Sequence, residues 1–119
     1  MRYFLNSRRK AVGYACKGAY LLLKTESSVQ IQSLIALATV LAGWYFEISA
    51  LEWIVQLLTI SLVMSIEGLN TAVEKIADFM HPDYHHKIGV IKDISAGAVF
   101  ISAIMAIVIG CIIYLPKIF

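Results

Sequence analysis

Charge is scarce in this sequence. Only 15% of its 119 residues are Asp, Glu, Lys or Arg, and 60% are hydrophobic, where an ordinary soluble domain carries about 25% charge. That balance excludes a water-solvated globule and makes a bilayer the natural solvent. Cysteine is nearly absent: Cys16 and Cys111 are the two present. At ~1.5 Å per helical residue they lie roughly 26 Å apart in membrane depth, so they cannot pair within one chain and read as small hydrophobes. A cleavable leader is also missing, because the apolar part of the amino-terminal stretch is broken by Lys17 and Lys24, and the first residues are expected to be kept. There is no P-loop. Gly13 and Gly18 have part of its spacing, but Ala19 and Tyr20 follow where Lys and Ser/Thr are required, and no strand precedes them. His81 and His85 stand four apart with Pro82 between them. Proline spoils the helical spacing a metal pair would need, so Met80 to Val90 reads as a solvated turn.

What is present is long and apolar. Ile94 to Leu115 is uncharged over 22 residues and Ser27 to Phe46 over 20, each enough for a hydrocarbon core of about 30 Å. Trp53 to Ile66 gives 14 uncharged residues and reaches full length only by continuing past Glu67 to Asp78. An all-α membrane protein follows, with transmembrane helices within 27–46, 53–78 and 94–115. Residues 1–25 have a different pattern: Leu5, Val12, Cys16, Ala19 and Leu23 share one helical face and Lys10, Lys17 and Lys24 recur on another, the design of an amphipathic helix lying on a membrane surface. Six basic and no acidic residues precede Glu26; Glu47 and Glu52 mark the next loop, and Lys75, Lys87 and Lys92 surround the one after. The positive-inside rule places the amino terminus and the Met80 to Val90 turn in the cytoplasm and the carboxyl terminus outside. Trp44, Tyr45, Trp53 and Tyr114 fall where an aromatic belt belongs.

The middle span carries the informative exception. Glu67, Asn70, Glu74 and Asp78 are three, four and four apart, so at 100° per residue they occupy an arc of about 80° on one helix face. Asp78 and Glu74 would reach water at the cytoplasmic end, but Glu67 lies inside the hydrocarbon boundary, where a carboxylate costs a few kcal/mol. Glu26 before the first span and Lys92-Asp93 before the third stand at the same membrane level. Oxygen donors gathered this way suit Mg²⁺ carrying nucleotide phosphates. A small transporter or ion-pathway subunit also keeps intramembrane carboxylates; it would spread them through the membrane depth, whereas 34–46 and 94–115 have none. A purely structural anchor would need no buried Glu67.

Glu67-x-x-Asn70-Thr71-Ala72-Val73-Glu74-x-x-x-Asp78, followed by Lys92-Asp93-x-x-Ala96-x-Ala98-Val99, resembles the signature of the prokaryotic diacylglycerol kinase family, which includes undecaprenol kinases. Tyr14-x-x-Lys17-Gly18, Glu26 and the three-span order extend the resemblance over nearly the whole chain. Asn70-Thr71-Ala72 and His81-Pro82 lie closer to the undecaprenol branch, while Ser28 and Gln30 stand where that branch favours an amide and a basic residue. The resemblance implies a homotrimeric enzyme of the bacterial inner membrane that moves the γ-phosphate of ATP, with Mg²⁺, to the hydroxyl of a membrane lipid alcohol at the cytoplasmic surface. Its partners would be ATP, the lipid and copies of itself, and no nucleic acid. Carried over, Glu67 is the general base and Glu26 and Glu74 hold the metal. Asn70 orients the reacting groups, Asp78 lies toward the nucleotide, Lys92 neutralises phosphate charge, Asp93 positions Lys92, and Lys17 is a further phosphate contact. Phosphoryl transfer asks mainly for positioning and charge stabilisation, so this set suffices without a P-loop.

Overall fold

The computed structural model describes all of residues 1–119 as four helices and no strand: α1 (Arg2–Thr25), α2 (Ser27–Tyr45), α3 (Ala50–Met80) and α4 (His86–Ile118). The last three are each long and apolar enough to cross a membrane. α3 is central and packs on α2 and, most extensively, on α4.

Glu26 ends α1 by adopting an extended backbone (φ −99°, ψ 113°). The carbonyls stranded at that helix end are met from α2, where Gln30 Nε2 donates to the carbonyls of Leu23 (3.1 Å) and Lys24 (2.9 Å). Except for the partly covered Leu22, every residue of α1 is exposed. Leu22 rests on α3 at Gly68, where an added Cβ would stand 3.0 Å from Leu22 Cδ1, so any side chain here would require Leu22 to shift. The molecule measures 51 × 48 × 22 Å. A helix of α4's 33 residues accounts for the first dimension. Both faces of α1 are thus uncovered by the chain, as a surface helix requires.

Four residues join α2 to α3. Glu47 takes the left-handed conformation (φ 52°), and Ser49 opens α3 with a reciprocal cap: its hydroxyl accepts from Glu52 N (3.2 Å) while Glu52 Oε1 accepts from Ser49 N (3.0 Å). The Trp53 ring closes over α2 at Gly43, where a Cβ would lie 2.7 Å from the indole. Glu52 also takes an ion pair from Lys117 of α4 at 2.9 Å. One turn deeper, Gln56 Nε2 donates to the Thr39 carbonyl (3.3 Å), and the Tyr114 hydroxyl is shared between that carbonyl (3.0 Å) and Gln56 Oε1. Three helices are tied at this end through polar groups.

The turn between α3 and α4 is shorter than the Met80 to Val90 stretch expected for it. α3 runs to Met80 and α4 starts at His86, because His85 caps the new helix by accepting from Lys87 N (3.1 Å) and the polar residues His86 to Asp93 continue it without a break. The His81 and His85 rings lie 5.2 Å apart, and no group of three or more His, Cys, Asp or Glu side chains gathers around them.

Ten residues are buried, and five of them are polar: Gln56, Glu67, Asn70, Thr71 and Ser102. Large aliphatic side chains point outward. This inversion is the arrangement of a protein solvated by lipid, in which polar groups turn to the bundle interior. The accessible surface of 9150 Å² exceeds the ~6,400 Å² of a water-soluble monomer of this mass, and many large aliphatic side chains lie exposed on it.

Candidate active site

The polar stripe of α3 divides by depth. Glu67 and Asn70 are each only 8% exposed, whereas Glu74 and Asp78, one and two turns further on, are exposed. Helical spacing thus carries one row of groups from the packed interior to the exposed carboxyl-terminal end of α3.

Glu67 has no cation. The chain's three ion pairs are Lys75 with Glu26 (3.6 Å), Lys92 with Asp78, and Lys117 with Glu52. Glu67's partner is instead an amide: Gln32 Nε2 of α2 donates to its Oε2 at 3.2 Å. A buried carboxylate kept only for stability would be paired with a charge, since the membrane penalises it otherwise. Asn70 Nδ2 donates to Glu74 Oε1 (3.2 Å), which links the buried and exposed halves of the stripe. Two buried side-chain atoms in the whole chain lack any partner, Gln32 Oε1 and Asn70 Oδ1, and both belong to this neighbourhood. Each costs about 1–3 kcal/mol while unpaired, so the strain of unmet hydrogen bonding is concentrated around Glu67.

Glu26, at the α1–α2 elbow, is brought beside α3 through Lys75, the residue after Glu74. Lys92 bonds to Asp78 across the α3–α4 pair; Asp93, the neighbour expected to position it, is exposed and in no ion pair, because consecutive residues of a helix point about 100° apart. Lys17 is exposed on α1 without an acidic partner. Gln32 and Lys75 were not singled out by pattern. For Gln32 the available signal was an amide six residues beyond Glu26, at the edge of an apolar span.

Mg²⁺ held through nucleotide phosphates asks a protein for one or two carboxylates rather than a closed cage. Glu26 and Glu74 are carboxylates of that kind, and the unpartnered Asn70 Oδ1 is a further oxygen on the helix turn of Glu74, so the donor chemistry of these residues fits such an ion. Behind the stripe, between α2, α3 and α4, lies a cavity of about 370 Å³ whose lining runs from Gln32 past Ile35, Ile60, Val63 and Ile107 to Tyr114. It is apolar along its walls and meets polar groups at its ends.

Residues 13–114 match the family model described as prokaryotic diacylglycerol kinase. The undecaprenol kinase of Bacillus subtilis (strain 168) is 34% identical over 113 residues, covering 95% of this chain and 92% of that protein. The diacylglycerol kinase of Escherichia coli (strain K12) is 30% identical over 104 residues, covering 87% and 85%. That of Haemophilus influenzae (strain ATCC 51907 / DSM 11121 / KW20 / Rd) is 27% identical over 115 residues, covering 96% and 94%.

Proposed function

Because the chain belongs to the prokaryotic diacylglycerol kinase family and is thereby a membrane lipid kinase, we propose that it transfers the γ-phosphate of Mg²⁺-ATP to the hydroxyl of a lipid alcohol of the undecaprenol or diacylglycerol class. The reaction is placed at the cytoplasmic face of the bacterial inner membrane, in a homotrimer. The observation that carries this reading is Glu67: a buried carboxylate with no counter-cation, on the same helix face as Asn70, Glu74 and Asp78.

Glu67 accepts the hydroxyl proton as the lipid oxygen bonds to the γ-phosphorus and the bond to the ADP oxygen breaks, its electron pair leaving with ADP. Its Oε2 is occupied by Gln32, which leaves Oε1 for the proton. Glu26 and Glu74 would hold the metal, which when bound would neutralise phosphate charge. Asn70, tied to Glu74, keeps nucleotide and acceptor in register. Lys92 gives one N–H to Asp78 and has two more donors for phosphate oxygens, while Asp78 and Asp93 border the nucleotide and Lys17 approaches it from α1. The apolar cavity between α2, α3 and α4 receives part of the acceptor's tail. Apolar walls suit a tail, and its Gln32 end adjoins Glu67. Purified protein in detergent should consume ATP only when a lipid alcohol and Mg²⁺ are both added; consumption independent of the alcohol would contradict the proposal.

A further inference from the structure

Half-buried Gln32 and buried Gln56 each link α2 with α3, and they are not equivalent. Gln56 is satisfied at both ends, with Nε2 on the Thr39 carbonyl and Oε1 receiving the Tyr114 hydroxyl. It behaves as a tie between helices. Gln32 is satisfied at one end only: Nε2 is held by Glu67 Oε2 and Oε1 is buried with no partner. A glutamine placed for stability alone would not leave an acceptor stranded at a cost of about 1–3 kcal/mol, nor spend its donor on a carboxylate that the membrane itself disfavours.

We propose that Gln32 is a positioning residue for the phosphoryl transfer, fixing the Glu67 carboxylate through Nε2 and offering Oε1 to the hydroxyl of the docking lipid alcohol. The inference rests on the lipid-kinase reading. Three placements support it. Gln32 touches the carboxylate that would take the proton. It also lines the apolar cavity, where that cavity's wall continues through Ile35 and Ala36 of the same helix. Its free oxygen is an acceptor, and a lipid alcohol brings to this depth a single donor, its O–H. The hydroxyl first donates to Gln32 Oε1, which holds its oxygen beside Glu67. Rotation of the O–H toward Glu67 Oε1 then delivers the proton as the oxygen attacks phosphorus. Gln32 neither gains nor loses a proton in this sequence, so its amide is suited to the role in every turnover.

The test compares the parent with Gln32→Met, which keeps length and removes both polar atoms, using dioctanoylglycerol and a polyprenol as separate acceptors. The expected result is a kcat lower by roughly 10- to 100-fold, the range associated with a misplaced reacting group, with the KM for ATP within twofold and a Tm in detergent no lower than the parent's. In a Glu67→Gln background the same change should lower kcat by less than about twofold, since a residue acting through another loses its effect when that other is gone. If Gln32→Met does not fold, Gln32→Asn, which keeps the amide but withdraws it by one methylene, serves in both comparisons. An unchanged kcat, a loss only in proportion to folded protein, a KM for ATP that rises as much as kcat falls, or additive losses in the double variant would each overturn the proposal. A parent protein that phosphorylates neither lipid would instead overturn the lipid-kinase reading itself.

Discussion

Replacing Glu67 by Gln separates chemistry from stability, and the structure sets the size of both effects. The substitution keeps volume, and the new amide oxygen can still accept from Gln32 Nε2, whose present bond to Glu67 is 3.2 Å. That bond changes from charge-assisted to neutral, a loss of about 1 kcal/mol. Against it stands the relief of removing a carboxylate from a position 8% exposed and without a cation. A charge at the bilayer centre costs about 2.5–3.5 kcal/mol on insertion scales, and less toward the boundary where Glu67 lies. The two nearly cancel or leave a small net gain, so Tm in detergent should stay level or rise. The kinetic effect has no such compensation, because an amide cannot take the proton: kcat should fall by roughly 10²-fold or more, with nucleotide affinity little changed. Tm and kcat measured on one preparation decide the matter. A Glu67→Gln protein that is destabilised yet fully active per folded molecule would refute the reasoning and leave Glu67 as a structural group.

Glu26→Gln and Glu74→Gln each remove a charged oxygen while keeping shape, and should raise the Mg²⁺ concentration needed for half-maximal ATP use without weakening lipid binding; normal activity of both at limiting Mg²⁺ would contradict the metal assignment. Gly68→Val puts a side chain where Leu22 Cδ1 would be 3.0 Å from its Cβ, so α1 should lift from α3 and its amides exchange hydrogen faster across 2–25, a change that unaltered exchange would rule out. A single cysteine placed at Ser49 should react with an impermeant thiol reagent in intact cells while one placed at Tyr84 should not, and the opposite pattern would invert the topology.

The three spans were legible because lipid imposes a simple demand, long uncharged runs, and the chain meets it at 27–46 and 94–115 without exception. Helix ends were less legible: capping by Ser49 and His85 carries α3 and α4 beyond the apolar runs, to Ala50 and His86. The stripe of Glu67, Asn70, Glu74 and Asp78 could be read from period alone, since spacing within one helix fixes which residues share a face. Spacing says nothing about which face of a neighbouring helix will meet it. For that reason the contact of Gln32 with Glu67, 35 residues away, the approach of Lys75 to Glu26, and the preference of Lys92 for Asp78 over its own neighbour Asp93 emerged only from packing. The unpaired oxygens of Gln32 and Asn70 belong to the same category, because whether a buried acceptor is satisfied depends on every helix around it.

The most direct measurement of the central claim is product identification. Purified protein is incubated with ATP labelled in the γ-phosphate, Mg²⁺ and either undecaprenol or a diacylglycerol, and the lipid fraction is extracted and resolved. The account predicts that label moves into a monophosphorylated lipid from at least one of the two, and that the Glu67→Gln protein makes roughly a hundredth as much or less. Label found only in inorganic phosphate, or remaining wholly in ATP with both lipids, would contradict it.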